Sequence, residues 1–139
     1  MAVRILICDD EVTILRAAMF KLERSGFSVE DALDGEEAWS KILRQPPDIL
    51  ISDYQMPRLD GLGLIERVRS RPELDGMEIL LLTAKGFELP TQELLSRWRI
   101  RKILPKPFSP RELVQIIHQI ITEREEGLVG AGNPGLTRI

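Results

Sequence analysis

The sequence Ile49-Leu50-Ile51-Ser52-Asp53-Tyr54-Gln55-Met56-Pro57 places an apolar run directly before a carboxylate and a turn. A strand that is buried on both faces of a sheet has a continuous apolar run of this kind, whereas a strand with one exposed face alternates. In an open α/β sheet, ligands bind in the crevice outside the carboxyl ends of the strands. We therefore expect Asp53 to end a central strand and to lie at the mouth of a binding site.

Strands and helices alternate along the rest of the chain. Apolar, β-rich segments predict strands, and they lie at 3–8, 27–32, 48–52, 77–82 and 101–104. Between them, apolar residues recur at spacings of three and four, which predicts helices with one buried face. Five such strand–helix units predict an α/β fold, in which a parallel sheet carries helices on both faces through right-handed crossovers.

Polar residues mark where several helices begin. Asp10 is the predicted N-cap of the first helix, and Asp34, with Glu37 three residues later, has the capping-box spacing at the second. Ser109 followed by Pro110 is a strong start signal for the fifth helix. We therefore expect these three helices to begin at the residue after each cap.

Length and composition bound the function classes. The chain has 139 residues, enough for one ordinary domain, and its 43% hydrophobic and 29% charged residues are normal for a globular protein. A net charge of -3 argues against a general nucleic-acid or membrane-surface binder. The single cysteine, Cys8, excludes an internal disulfide framework and a cysteine-rich zinc site.

The sequence gives no sign of secretion or of membrane insertion. No early segment resembles a signal peptide, and no apolar run reaches the roughly 18 residues needed to span a bilayer. We therefore expect a cytoplasmic protein. The glycine-rich pattern from about Gly127 onward predicts a folded domain over residues 1–124 and a flexible tail, or the start of a linker, over residues 125–139.

Chemically competent side chains follow four of the five predicted strands. Asp9 and Asp10 follow the first strand, Asp53 follows the third, Thr83 follows the fourth, and Lys106 lies just past the fifth. Taken singly, each has an ordinary structural role, such as a helix cap, a turn residue or a solvated charge. Because the carboxyl ends of parallel strands meet at one edge of the sheet, we expect all five to cluster there.

Such a cluster suits phosphoryl transfer. Three close carboxylates repel one another, and oxygen ligands with room for water suit Mg²⁺. The Asp53 carboxylate is a competent nucleophile toward phosphorus and would form an aspartyl phosphate. Its transfer needs positioning and charge neutralisation. Mg²⁺ and the Lys106 ammonium would supply the charge, the Thr83 hydroxyl would donate to a phosphoryl oxygen, and the small Ala84 would leave the approach open.

Four short motifs occur in order along the chain: Asp9-Asp10, Asp53 with Met56-Pro57 and Asp60-Gly61, Thr83-Ala84, and Lys106-Pro107-Phe108. Each motif is weak alone, but the set is specific. Over about residues 2–124 the chain resembles a response-regulator receiver domain of two-component signalling, of the single-domain chemotaxis type. The resemblance implies a flavodoxin-like, doubly wound (βα)5 fold with the five-stranded parallel sheet in the order 2-1-3-4-5.

The resemblance also implies roles for the acidic residues. Asp53 would be the phospho-acceptor. Asp10, Asp53 and the Gln55 backbone carbonyl would bind Mg²⁺ directly, and Asp9 would help through a water molecule. The phosphodonor would be a sensor histidine kinase or a phosphotransfer protein.

The resemblance further implies how the phosphoryl group is sensed. Thr83 and Lys106 would contact it, and the Lys106-Pro107 peptide would be cis. A downstream protein would bind the face formed by the fourth helix, the fifth strand and the fifth helix, and phosphorylation could also drive a homodimer. The domain itself would bind neither nucleic acid nor membrane. Its only reactions would be its own phosphorylation and slow autodephosphorylation, so it would not be an enzyme.

Two positions bear on how the signal leaves the site. Receivers usually carry an aromatic switch residue three positions before the lysine, where this chain has Ile103. The usual coupled swing of the threonine and the ring is therefore not assured. Lys85, two residues after Thr83, lies where family members tune the lifetime of the phosphoryl group.

The segment Arg97-Trp98-Arg99-Ile100-Arg101-Lys102 replaces the small and acidic residues that are common before the fifth strand of receivers. One interpretation is a solvated basic face. The other is a surface that binds an acidic partner.

Two alternative functions stay open at the level of sequence. One is a receiver that has lost phosphorylation and serves as a docking scaffold, which Ile103 keeps open and the intact acids oppose. The other is a phosphatase or mutase that turns over an aspartyl phosphate. Haloacid-dehalogenase-type enzymes of that class carry a second acid two residues after the nucleophile, where this chain has Gln55.

Overall fold

The computed structural model describes residues 3–84 and 89–132, with side chains up to residue 127. Five strands and five helices alternate, in agreement with the sequence pattern. The strands are β1 Arg4–Cys8, β2 Ser28–Ala32, β3 Ile49–Asp53, β4 Glu78–Thr83 and β5 Lys102–Pro105. The helices are α1 Val12–Arg24, α2 Gly35–Arg44, α3 Gly61–Arg69, α4 Thr91–Trp98 and α5 Pro110–Gly132, with a short 3-10 helix at Pro72–Leu74.

The five strands form one parallel sheet in the order β2-β1-β3-β4-β5. This order confirms the predicted flavodoxin-like topology. The central strand β3 is buried along its whole length, as its continuous apolar run predicted. In register, Ile51 lies opposite Ile7 on one side and Leu80 on the other. Asp53, the last residue of β3, lies opposite Leu82 of β4.

Side chains that alternate along each strand build two hydrophobic cores, one on each face of the sheet. Ile5 and Ile7 point to the core that α1 and α5 cover, whereas Leu6 and Cys8 point to the core beneath α2, α3 and α4. Burial of apolar side chains on both faces stabilises the sheet and fixes the position of its carboxyl edge.

Local signals fix the starts of two helices as predicted. The Asp34 side chain accepts a hydrogen bond from the Glu37 N–H at 2.8 Å, and Ser109 Oγ accepts one from the Glu112 N–H at 3.0 Å. An N-cap of this kind satisfies backbone donors that have no partner inside the helix. The sequence did not assign a cap to α3, where Asp60 accepts from the Gly63 N–H at 2.8 Å.

The prediction that Asp10 caps α1 is wrong. Glu11 occupies the N-cap position and makes no side-chain cap bond. The Glu11 N–H donates instead to Asp9 Oδ1 at 2.9 Å, so the helix begins one residue later than expected. Asp10 is left exposed, at the edge of the cavity described below.

Gly61 lets α3 approach the end of β3 closely. A Cβ at this position would collide with the backbone oxygen of Asp53 and lie 3.0 Å from Tyr54 Cα. The Gly61 N–H donates to the Tyr54 carbonyl at 2.8 Å, which ties the start of α3 to the loop after β3. The absence of a side chain at Gly61 therefore allows the helix to abut the predicted site.

The last helix is longer than the sequence indicated. α5 continues to Gly132, so residues 125–132, which were assigned to a flexible tail or linker, are helical. The segment Glu123-Arg124-Glu125-Glu126 consists of strong helix formers, which carry the helix past the expected end. The domain boundary at residue 124 stays a prediction, and both Lys85 and residues 133–139 lie outside the described residues.

Within the described residues, no helix is both long enough and apolar enough to cross a membrane.

Candidate functional site

The carboxyl ends of β1, β3, β4 and β5 surround a cavity of about 280 Å³. Its lining residues come from the last residues of these strands and from the segments that follow them. They are Asp10, Glu11, Asp53, Tyr54, Gln55, Thr83, Ala84 and Lys106. The cavity therefore brings together residues that are far apart in the chain but share one edge of the sheet.

Lys106 is at the centre of the charge arrangement. Its Nζ lies 2.8 Å from Glu11 Oε1, 2.9 Å from Asp9 Oδ2 and 3.3 Å from Asp53 Oδ1. The Lys106 side chain is only 8% exposed, and the Asp9 and Asp53 side chains are 0% and 9% exposed. The ammonium thus holds two buried carboxylates and one exposed carboxylate together at the end of the sheet.

The backbone around the site is fixed by hydrogen bonds from three strands. The Tyr54 N–H donates both to Asp53 Oδ1 at 2.9 Å and to the Leu82 carbonyl at 2.8 Å. The Lys106 N–H donates to the Thr83 carbonyl at 2.8 Å, and the following Lys106-Pro107 peptide is cis, as expected. These bonds hold Asp53, Thr83 and Lys106 in place relative to one another.

Burial and neighbouring charges together set the pKa values of Asp53 and Lys106. Burial first, and then the charge of Asp9, raises the pKa of Asp53 to about 6, although Lys106 and the Tyr54 N–H oppose this rise. Burial alone would lower the pKa of Lys106, but its close contacts with Glu11 and Asp9 and the charge of Asp53 raise it above its ordinary value. The site therefore contains a permanent ammonium and a carboxylate whose charge is costly.

The residues at the site fit a hard divalent cation. Asp9, Asp10 and Asp53 each offer a carboxylate oxygen, and these oxygens lie within 4.8 Å of one another. Asp9 Oδ2 is fully buried and accepts no well-aligned hydrogen bond within the described residues, so its contact is the ion pair with Lys106. An all-oxygen donor set with an excess of negative charge suits Mg²⁺. The acidic cluster is thus compatible with the magnesium site that the sequence predicted.

The structure places the other predicted residues as follows. Thr83 is buried and lines the cavity, whereas Gln55 and Ala84 line it and are exposed. Ile103 does not reach the cavity. It is half-buried and packs against the core beneath α2, α3 and α4. Leu95 and Trp98 contact the same core.

Sequence reasoning missed Glu11. Its side chain lines the cavity and is bonded to Lys106, which lies 95 residues further along the chain. The only signal in the sequence was that a third acid follows Asp9 and Asp10. An acid at a helix start has an ordinary explanation in the helix dipole, so the signal was not distinctive.

The basic segment before β5 is paired largely within the domain. Arg97 pairs with Glu93 at 3.8 Å, and Arg99 pairs with Asp75 at 3.0 Å. Arg101 lies 3.1 Å from Glu123 of α5. These arginines therefore have acidic partners in the chain itself, which favours a solvated, ion-paired face over a surface with unbalanced positive charge.

Comparison with known proteins identifies the family. Residues 5–118 match the response regulator receiver domain. The alkaline phosphatase synthesis transcriptional regulatory protein PhoP of Bacillus subtilis (strain 168) is 35% identical over 130 residues, which cover 88% of this chain and 50% of that protein. A probable chemotaxis protein CheY of Rhizobium etli is 30% identical over 119 residues, which cover 85% of this chain and 92% of that protein.

The solved structures agree with the sequence comparisons. A CheY-like response regulator receiver domain protein from Methanospirillum hungatei JF-1 superposes with a TM-score of 0.81 at 28% identity, over 91% of this chain and 99% of that one. The chain spans about half the length of the first curated relatives that it matches. With its fold and its sequence in agreement, the chain belongs to the response regulator receiver domains, the signalling modules of two-component systems.

Proposed function

We propose that this receiver is a phosphorylation-switched module, which accepts a phosphoryl group on Asp53 from a sensor histidine kinase or a phosphotransfer protein. The observation that carries the proposal is the Asp53 carboxylate at the cavity, next to a permanent ammonium and two further acids. A phosphoryl transfer site needs a nucleophile, positioning and charge neutralisation. The described residues offer all three.

In the proposed reaction, an Asp53 oxygen attacks phosphorus while the bond to the donor's leaving group breaks, and the leaving group departs with that electron pair. We assign the attack to Oδ2, because the Tyr54 N–H and Lys106 already engage Oδ1. Lys106 then donates to a phosphoryl oxygen, and we assign a second donation to the Thr83 hydroxyl. Both residues would sense the phosphoryl group once it is in place.

Asp10, Asp53 and the Gln55 carbonyl are the proposed direct ligands of Mg²⁺, with Asp9 acting through water. When bound, the ion supplies positive charge for the phosphoryl oxygens. Asp10 is exposed and would give up part of its hydration on binding the ion, whereas Asp9 and Asp53 are already buried. The proposal gives the three acids a reason to be close together in spite of their repulsion.

We assign the output to the surface formed by α4, β5 and α5, where a downstream protein or a second copy of this chain would bind. Ile103 replaces the usual aromatic switch and packs in the same core as Trp98, so we infer that transmission runs through this packing rather than through a swinging ring. Light scattering with and without beryllofluoride tests for the homodimer.

Three further expectations remain predictions from the sequence. They are a cytoplasmic location, the absence of direct binding to nucleic acid or membrane, and tuning of the phosphoryl lifetime by Lys85.

Incubation with Mg²⁺ and acetyl phosphate tests the proposal. We expect a covalent phosphoryl adduct that Asp53→Asn abolishes and that the surface variant Asp75→Asn retains. Steady release of phosphate without a lasting adduct would instead identify a phosphatase, and the absence of any adduct would identify a docking scaffold.

A further inference from the structure

We propose that Glu11 is a competing counter-ion, which holds the Lys106 ammonium until a phosphoryl group on Asp53 displaces it. The inference rests on the proposed function, because it describes what Glu11 does during phosphorylation of Asp53. Glu11 acts through Lys106 and is therefore a positioning residue. Its effect is to make the unphosphorylated state more stable relative to the phosphorylated one.

Lys106 has a limited number of donors to share among its acidic neighbours. An ammonium has three N–H donors and no acceptor. Its three carboxylate neighbours lie at 2.8 Å (Glu11), 2.9 Å (Asp9) and 3.3 Å (Asp53), so the nitrogen is surrounded by acids on the sides that it can reach. A phosphoryl oxygen attached to Asp53 must therefore compete with these carboxylates for a short contact with Nζ.

Exposure decides which partner gives way. The Asp53 carboxylate loses its own charge when it becomes an acyl phosphate, whereas the Asp9 side chain is 0% exposed and would stay charged and desolvated after losing the ammonium. The Glu11 side chain is 57% exposed, so its carboxylate is rehydrated when it leaves. Because a buried unpaired charge costs much more than a solvated one, Glu11 is the partner that is released most easily.

The backbone holds Glu11 where it can compete. Its N–H donates to Asp9 Oδ1 at 2.9 Å, and its carbonyl accepts from the Leu15 N–H at 3.0 Å at the start of α1. The main chain is thus fixed on both sides of the residue, while the side chain is free to leave. Glu11 also lines the same cavity as Asp53, so its carboxylate adds negative charge where an anionic phosphoryl group must enter.

Two variants separate the contact from the charge. Glu11→Gln removes the charge and keeps the length of the side chain. Glu11→Asp keeps the charge but is one methylene shorter, so it cannot keep the 2.8 Å contact with Nζ. Glu23→Gln is the matched control, because it removes an exposed acid from the same helix, away from the cavity.

The probe is beryllofluoride with Mg²⁺, and ¹⁹F NMR measures the fraction of protein that carries it. We expect Glu11→Gln and Glu11→Asp each to lower the half-saturating concentration about fivefold, which corresponds to the loss of one partly exposed ion pair. Glu23→Gln should match the wild type. Equal or weaker binding by Glu11→Gln would overturn the proposal, and so would a wild-type value for Glu11→Asp.

A second measurement needs neither the ion nor the phosphoryl analogue. In EDTA, we expect both Glu11 variants to shift the ¹⁵Nζ resonance of Lys106 and to lower the melting temperature by about 5 °C or less. An unchanged resonance would contradict the contact. If beryllofluoride fails to bind the wild type, or binds Asp53→Asn equally well, the proposed function itself fails. If binding depends on Asp53 but not on Glu11, only the present inference fails.

Discussion

Two regions of the molecule contain clusters of ion pairs, and the ion pairs of the two regions differ in burial. At the carboxyl edge of the sheet, Lys106 and its partners Asp9 and Asp53 are almost fully buried. Around the end of α4, the pairs Arg97–Glu93 and Arg99–Asp75 are more than half exposed on both sides.

Of these two regions, the carboxyl edge of the sheet has the buried charges, so a bound ion would change its electrostatic balance far more. Exposed ion pairs contribute about 0–1 kcal/mol, because water screens them and long side chains lose freedom. Buried charges must be balanced locally, and an added cation or anion changes that balance. We therefore expect a bound ion or phosphoryl group to change the stability of the site, whereas the α4 pairs lie on the surface and should matter little. The following predictions test this difference, beginning with the largest expected effect.

Removal of the central cation should affect the two regions very differently. Lys106→Met leaves Asp9 and Asp53 buried without their counter-charge, and we expect a loss of about 3 kcal/mol in the free energy of unfolding at pH 7 in EDTA. Arg97→Met, which removes an exposed partner of Glu93, should cost less than about 0.5 kcal/mol. Urea titration measures both values, and similar losses would remove the distinction between the regions.

Neutralisation of Asp53 should stabilise the protein. The pKa of Asp53 is about 6 in the folded protein, above its ordinary value of 3.8, so the ionised form is a cost that grows as the pH rises between these values and is complete above pH 6. Asp53→Asn should therefore raise the free energy of unfolding by about 2 kcal/mol at pH 7.5 in EDTA.

The same substitution should have little effect near pH 3.5, where both states are protonated at this position. Glu66→Gln, an exposed acid on α3, is the control and should show no such pH dependence. A destabilised Asp53→Asn at pH 7.5 would show that the charge of Asp53 is balanced rather than costly.

Addition of Mg²⁺ should stabilise the buried-charge region alone. A ligand at ten times its dissociation constant stabilises the folded state by about 1.4 kcal/mol. We expect a rise of this size for the wild type in saturating Mg²⁺, and little or none for Asp10→Asn, which removes one of the three clustered acids. If Ca²⁺ or high salt raised the free energy of unfolding equally in the wild type and in Asp10→Asn, the effect would be general screening of charge and not binding at a site.

The smallest effect is expected at the exposed end of α4. Arg99 has a left-handed backbone conformation (φ 52°) just after the helix, where glycine is favoured. Arg99→Gly relieves this strain and loses only the exposed pair with Asp75, so we expect a gain of about 0.5 kcal/mol. A loss greater than about 1 kcal/mol would mean that the surface pair contributes far more than its exposure suggests.

The five strands followed from the sequence because they depend on short apolar runs and on strict alternation, whereas their order in the sheet came from the family resemblance. The caps Asp34 and Ser109 were equally readable, since each acts within three residues of itself. Asp10 was misread as a cap because an acid before a helix suits a cap and a cavity equally well. The choice depended on the hydrogen bond between the Glu11 N–H and Asp9.

The contacts between side chains at the site could not be predicted from the sequence. Glu11 and Lys106 are 95 residues apart, so their contact depends on the register of β1 and β5 and on the loop that follows each strand. The partners of the basic segment were hidden for the same reason, because Arg99 and Arg101 find acids on other elements. A helix that has already formed is extended more easily than a new one is started, which explains why α5 continues to Gly132. Residue preferences alone did not predict where it ends.

Phosphorylation of Asp53 is best measured by intact-protein mass spectrometry after incubation with Mg²⁺ and acetyl phosphate. We predict a gain of one phosphoryl group in the wild type, none in Asp53→Asn and none in EDTA, with the group located on Asp53 after borohydride reduction and peptide mapping. A gain of the same size in Asp53→Asn, or no gain in the wild type while Mg²⁺ still binds, would contradict the account.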